Sequence, residues 1–484
     1  MSKTILVKNL DDYLDSNFHL IGNKAKNILD LKNAGFRVPQ TWIIEANIPE
    51  LILNQAGIHC DHVNLEDFKR SESYLMNEIP NEIKRELWYE VSRVINNCNH
   101  TSLVVRSSST LEDSDVFSFA GIFTTVVNVK KIMSIVDAII SIWSSSFNEA
   151  VYELCTRNQI DSVRPCAVIL QSMVNSKVGG VTFKDQEHIV INSSFGLTKA
   201  VVDGLTEPDQ WVYKKSGYEL IREVRGMKEF GIYPIYSRTN PLEGENFCIQ
   251  LDQKNYNGET VKLDEKEEDY LLTKVKLPEE MRQTSTLTNE CIESLLYGFE
   301  EAGKKLGFDT YDIEWCLNQN DELFFLQIRS ATRNIEFRND EIGSALPLVN
   351  GYVSGKVEYV ANIADAKKFQ VGSILLAKRI NGAVLHASAK AVGCIVESCS
   401  VLSHSAIIAR ELNIPCIGVK STELIEKDCF YEINGTKGEY TKVFSVQNDE
   451  TLKINEELQS LMEWKRNISG PFFEDLLHIP DEWK

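Results

Sequence analysis

The sequence predicts a multidomain protein in which a large α+β part precedes a smaller α/β part. Three observations predict it. The chain has 484 residues, enough for roughly three domains of ordinary size. Residues 311–329 alternate with period two on both sides of a turn, the pattern of an antiparallel hairpin. An apolar run from Gly393 to Val396 leads into Leu402-Ser403-His404-Ser405-Ala406 and a helix-forming stretch ending at Leu412, a strand-to-helix connection.

Composition narrows the class. Apolar residues make up 43% and charged residues 25% of the chain, the balance of a globular protein. No apolar run reaches the ~18–20 residues of a membrane span. The apolar part of Met1–Val7 is too short for a secretory signal. The formal net charge of -19 argues against a general nucleic-acid or anionic-membrane binder. Any phosphate must therefore be held by local cations. Eleven cysteines form no CxxC pair and no Cys/His zinc spacing, so reduced thiols and a cytoplasmic location are expected. Cys316, Cys394 and Cys416 lie in apolar runs and read as small core residues.

Taken in order, Gly22-Asn23-Lys24 opens a helical stretch that Gly35 ends, and Thr41-Trp42-Ile43-Ile44 is a strand. Residues 48–100 read as mostly helical. Leu103-Val104-Val105 is a strand that delivers Arg106 into a run of serines. Residues 131–158 read as one helix and 165–215 as short strands and turns; 217–283 carry no clear pattern. A helix covers about 287–305, before the hairpin. Asn339–Ser344 is a polar, turn-prone connection and places a domain boundary near 340–350. Short strands, a helix near 382–391, a strand, the His404 helix and more strands follow to about 445. Residues 448–466 read as an amphipathic helix, and the tail with Pro471-Phe472-Phe473 reads as docking on the body or, failing that, as binding a partner.

Two segments carry chemistry. Ser403 is a plausible N-cap for the helix behind His404, and Asn413 and Pro415 stop that helix. A helix N-terminus offers unpaired N–H groups and partial positive charge, which favour an anion. His404 is thus a candidate covalent phosphate carrier. In the hairpin, Asp312 and Glu314 share a face on one strand, and Gln327 and Arg329 share one on the other. Oxygen ligands of this kind suit Mg²⁺, and Arg329 can hold a phosphate with its fork of donors. The bland reading is a half-exposed hairpin whose polar residues face water. Lys24 follows a glycine at a helix start, another phosphate-friendly place.

Together these segments resemble the phosphoenolpyruvate synthase and pyruvate phosphate dikinase family, from about residue 18 to about 445. Residues 1–340, with subdomains split near 100 and 215, look like its ATP-grasp nucleotide-binding domain. The resemblance is carried by Ile21-Gly22-Asn23-Lys24-Ala25, Val105-Arg106-Ser107-Ser108, Glu112-Asp113 and Ser118-Phe119-Ala120-Gly121. It continues through Gln171-Ser172-Met173-Val174, Gly196-Leu197 with Ala200-Val201-Val202, Pro208-Asp209, Asp312-Ile313-Glu314-Trp315 and Leu326-Gln327-Ile328-Arg329. Residues 346–445 look like the swivelling β/β/α phosphohistidine domain, through Ser403-His404 and Ala409-Arg410-Glu411-Leu412. Residues 446–484 would add a C-terminal helix and tail.

The resemblance implies a dikinase-like phosphotransferase. Lys24, Arg106 and Arg329 would contact ATP phosphates, Glu314 and Gln327 would bind Mg²⁺, and Gln171, Met173 and Val174 would line the adenine pocket. His404, with Ser403 and Arg106 beside it as catalytic candidates, would take phosphate from ATP, releasing AMP and phosphate. It would then pass the phosphoryl group to a small-molecule or protein acceptor. The chain departs from the family pattern at Cys399-Ser400, where a Gly-Gly pair is usual, at Asn23, and at Thr198-Lys199, which replace Gly-Glu. The roughly 40 residues after 445 are too few for the ~250-residue barrel that binds phosphoenolpyruvate or pyruvate. Two other functions therefore stay open: a phosphorelay subunit working with a separate barrel protein, and a non-catalytic nucleotide sensor.

Overall fold

Three β-sheets organise the molecule in the computed structural model, which describes residues 6–13, 18–59, 64–98, 102–110, 125–157, 160, 163–234, 272–330, 345–380, 384–398 and 400–443. The expected helix at 448–466, the tail, the 339–344 connection, Glu112-Asp113, Ser118–Gly121 and Cys399 lie outside those residues.

The first sheet is antiparallel, in the spatial order Lys8–Asn9, Thr41–Ile44, Ala167–Ser172, Leu103–Ser108, Thr125–Val129. One face is covered by helices Asn47–Gln55, Leu65–Asn77, Asn81–Asn97 and Ile132–Ser145, whose apolar stripes (Leu53, Leu75, Leu87, Ile139) meet Val105 and Leu170 in one core. On the other face Ile21, Ile28 and Leu29 of helix Phe18–Asn33 pack against Ile43 and Ile169.

The second sheet has six antiparallel strands: Leu323–Ser330, Tyr311–Asn318, Ser176–Lys184, His188–Phe195, Asp209–Lys214 and Glu219–Val224. The hairpin that the sequence announces thus forms one edge of a larger sheet. Helix Asn289–Leu306 lies on it, capped by the Thr288 side chain and ended by left-handed Gly307 (φ 74°). Its Phe299 meets Trp315 and Phe325 at ring separations of 6.0 and 5.9 Å. A small ribbon pairs Phe230–Pro234 with Leu272–Lys276, within the stretch that had no clear pattern.

The third sheet has seven strands in the order Leu346–Val349, Cys416–Val419, Gly393–Glu397, Ile374–Ala377, Tyr352–Tyr359, Phe430–Asn434, Glu439–Val443. The central four pair in parallel, and helix His404–Glu411 makes the crossover after Gly393–Glu397.

Two elements differ from expectation. The helix expected over 131–158 is two, Ile132–Ser145 and Glu149–Arg157. The first ends where Ser146 N–H turns back to the Trp143 carbonyl, and the Asn148 side chain caps the second by accepting from Val151 N–H at 2.8 Å. The helix expected near 382–391 is, among the described residues, a single turn at Leu385–Ser388.

Candidate active site

The site grows from a break in the first helix. Gly22 has φ 74° and ψ 168° inside the span Phe18–Asn33, so the helix proper restarts after it. A β-carbon at Gly22 would lie 2.3 Å from the Ser108 carbonyl oxygen, so the chain passes directly over the end of strand Leu103–Ser108. Two bonds fix that crossing: Asn23 N–H to the Ser109 carbonyl, 3.1 Å, and Ala25 N–H to Ser108 Oγ, 3.0 Å. The Asn27 side chain bonds the Ile328 carbonyl of the hairpin at 3.0 Å. Lys24 is thereby set between the strand carrying Arg106 and the strand carrying Arg329.

In the hairpin, Asp312 pairs with Arg329 and Glu314 with Gln327 across the strands. The four polar residues do share one face, but that face is not open to water. Asp312, Gln327 and Arg329 are each 8–9% exposed, so the half-exposed reading fails. Trp315, Ile313 and Ile328 fill the other face. Arg329 is held by Asp312: Nε lies 2.8 and 2.9 Å from the two carboxylate oxygens, and Nη2 lies 2.8 Å from Oδ2. Part of the fork expected on phosphate is thus spent on orientation.

Arg106 arrives from the first sheet. Its guanidinium reaches Gln327 Oε1 at 3.5 Å and Glu314 Oε2 at 3.7 Å, loose contacts for an ion this buried. Its Nε is buried with no hydrogen-bond partner among the described residues, an arrangement that favours an incoming anion.

These residues line one cleft between the first two sheets. Val104, Val127, Met173, Val174 and Leu197 form an apolar wall. Gln171 lies behind it, its amide donating to Thr41 Oγ1 at 3.2 Å. Lys24, Arg106, Glu314, Gln327 and Arg329 line the polar end, where His404 also projects. Among the expected site residues, Ser403 alone does not line the cleft. Its hydroxyl accepts from Ala406 N–H at 3.3 Å and from Ser398 Oγ at 2.8 Å. It is the helix cap, and its place beside the histidine follows from capping.

Burial pushes the His404 imidazole below its ordinary pKa, and the charges of Arg329 and Lys24 push the same way, against Asp203 and Glu314. The ring is therefore held neutral, the form with a free lone pair. Asp203 went unnoticed in the sequence. Burial alone would raise its pKa, but Lys199, Arg379 and His404 together hold it below the usual carboxylate range. Its one legible signal was the i,i+4 spacing from Lys199. Two departures from the family pattern also find places here. Lys199 pairs with Asp203 at 2.8 Å, and Ser400 Oγ accepts from the Asn192 side chain at 3.0 Å.

Comparison with known proteins gives two matched regions. Residues 18–344 match the AMP/ATP-binding domain of pyruvate phosphate dikinase, and residues 369–438 match the mobile domain of PEP-utilising enzymes. The chain is similar to proteins named "probable phosphoenolpyruvate synthase" from Methanothermobacter thermautotrophicus (26% identical over 93% of this chain) and Staphylothermus marinus (24% over 89%). It is also 26% identical, over 75% of its length, to phosphoenolpyruvate synthase of Pyrococcus furiosus. The chain spans 66%, 56% and 44% of the lengths of these three relatives, respectively.

Proposed function

We infer, on the premise that the chain belongs to the pyruvate phosphate dikinase and phosphoenolpyruvate synthase family, that it transfers a phosphoryl group from ATP to His404 and on to an acceptor. One observation carries the reading. A histidine at a capped helix N-terminus, its pKa lowered by burial, opens onto the same cleft as four cations, two carboxylates and an amide oxygen.

The apolar wall suits a purine ring, with Met173 and Val174 against it and Gln171 behind. Lys24, Arg106 and Arg329 then bind the phosphates, the unpartnered Arg106 Nε gaining an acceptor. The donor set of Glu314 and Gln327 is all oxygen, the chemistry of Mg²⁺ carried in with a nucleotide's phosphates. When bound, that ion spreads the negative charge of the transferring group. The His404 lone pair attacks the β-phosphorus and the bond to the α-phosphate oxygen breaks, so AMP leaves. Water takes the γ-phosphate as inorganic phosphate, and the phosphoryl group left on His404 passes to the acceptor. Arg106 and Arg329 remain in place throughout and stabilise the developing charge.

The acceptor is a small molecule or a protein. Buried cysteines outside any disulfide, such as Cys155 and Cys316, suit a cytoplasmic location.

The test is incubation with Mg²⁺ and ATP labelled at the β-phosphate. The protein should acquire an acid-labile label that His404→Ala abolishes. Tight ATP binding with neither label nor AMP would overturn the reading in favour of a nucleotide sensor.

A further inference from the structure

For His404 to reach a nucleotide, the region that carries it must sit in one place against the ATP-binding region. The seam between them carries the exposed ion pairs Lys367–Glu149 and Lys420–Glu207, and two further polar contacts that flank the histidine and include no reacting atom. On one side, Asp203 follows the short helix Lys199–Val202. Its Oδ2 accepts from Lys199 Nζ at 2.8 Å and from Arg379 Nη1 at 3.2 Å. Lys199 belongs to the same turn of chain and fixes the carboxylate, whereas Arg379 comes from the carrier region, just past strand Ile374–Ala377. The residue after it, Ile380, donates its N–H to Ser405 Oγ at 3.0 Å. Ser405 is the neighbour of His404, so the Arg379 corner is tied to the first turn of the carrier helix.

On the other side, Asn192 donates from Nδ2 to Ser400 Oγ at 3.0 Å. Gln210 holds the amide in that orientation by donating to Asn192 Oδ1 at 3.1 Å. Ser400 Oγ also accepts from Leu402 N–H at 3.2 Å, which shapes the loop that enters the helix. Between the two contacts the backbones nearly touch. A β-carbon on Gly204 (φ 63°) would lie 2.9 Å from Ser398 Oγ and 3.3 Å from Ser403 Cβ. Leu402 inserts among Val181, Phe183, Val201 and Val202. Apolar packing of this kind favours contact but tolerates sliding, because it is not directional. The two polar contacts are directional, so they resist that sliding.

We propose that Asp203–Arg379 and Asn192–Ser400 form a two-point latch that positions His404 over the nucleotide. Asp203, Arg379, Asn192 and Ser400 are positioning residues that set where the imidazole stands; of the four, Asp203 alone lines the cleft. The predicted effect on rate rests on the phosphotransfer reading, whereas the predicted effect on docking does not.

The experiment uses the full-length chain with two readouts. Fluorophores introduced through unnatural amino acids at exposed Tyr297 and Val371 report docking by energy transfer. Single-turnover labelling of His404 at saturating Mg²⁺-ATP reports chemistry, with ATP affinity measured alongside. Arg379→Ala and Ser400→Gly should each lower transfer efficiency and slow labelling by about threefold, the first by loss of a partly exposed ion pair and the second by loss of a buried hydrogen bond of modest net strength. The double variant should slow labelling by about tenfold if the two points act independently. ATP affinity should stay within about twofold. Arg379→Lys, which keeps the charge, should restore most of the rate. Unchanged docking in the double variant overturns the latch, and so does slowed labelling that tracks a loss of ATP affinity. If the native chain takes no label, the phosphotransfer reading fails, and the docking measurement still decides the latch.

Discussion

On the proposed function two roles meet at His404, helix start and nucleophile. As the first helical residue behind the Ser403 cap, it stands at a helix N-terminus, a setting that favours a phosphoryl group after transfer. Before transfer the same ring must be neutral. Burial lowers its pKa from the ordinary 6.5, with Arg329 and Lys24 adding to the effect and Asp203 and Glu314 opposing it. A lowered pKa means that the neutral form persists to more acidic pH. The labelling rate should therefore be flat through neutrality and fall only below about pH 6.5. Asp203→Asn removes one of the carboxylates that favour the imidazolium, so it should move this acidic limb further down. Single-turnover labelling between about pH 5 and 8 measures both shifts. An acidic limb above 6.5 would mean that the ring is charged in the cleft.

At the scale of elements, the sequence announced the pieces better than their surroundings. The hairpin was legible because its polar and apolar positions alternate, and the carrier helix because Ser403, Asn413 and Pro415 punctuate it. That the hairpin's polar face is buried was not legible. Exposure depends on what packs opposite, here the strand of Arg106 from more than 200 residues away. Arg379 was illegible for the same reason, and Asp203 nearly so: beyond the spacing from Lys199, a salt bridge across 176 residues leaves no local pattern. The break at Gly22 is the element on which the cleft most depends. A side chain there would adopt a left-handed φ of 74° and would press a β-carbon to 2.3 Å from the Ser108 carbonyl. Gly22→Ala should therefore destabilise the fold by about 2 kcal/mol or more. It should also weaken ATP binding, because Lys24 rides on the displaced crossing. Denaturant unfolding and nucleotide titration check the two effects. A stable variant with native ATP affinity would show that the crossing can shift without moving Lys24.

At the scale of the whole molecule, a chain of net charge -19 gathers Lys24, Arg106, Lys199 and Arg329 at the cleft that the proposed function assigns to ATP. The two fields have different ranges, and salt separates them. At about 0.01 M ionic strength the screening length is roughly 30 Å, so an approaching nucleotide feels the repulsion of the whole acidic surface. At about 0.1 M it shrinks to roughly 10 Å, and only the charges lining the cleft still act at the entrance. The association rate of ATP should therefore rise with salt over this range, the reverse of an enzyme whose net charge attracts its substrate. The dissociation rate should rise too, because the same ions weaken the contacts of Lys24, Arg106 and Arg329. Lys24→Gln should raise dissociation further and leave the salt trend of association in place, since one charge hardly alters a field set by nineteen. Stopped-flow binding of a fluorescent ATP analogue at a series of salt concentrations resolves the two rates. An association rate that falls steadily with salt would mean that the cleft cations govern the approach even at long range.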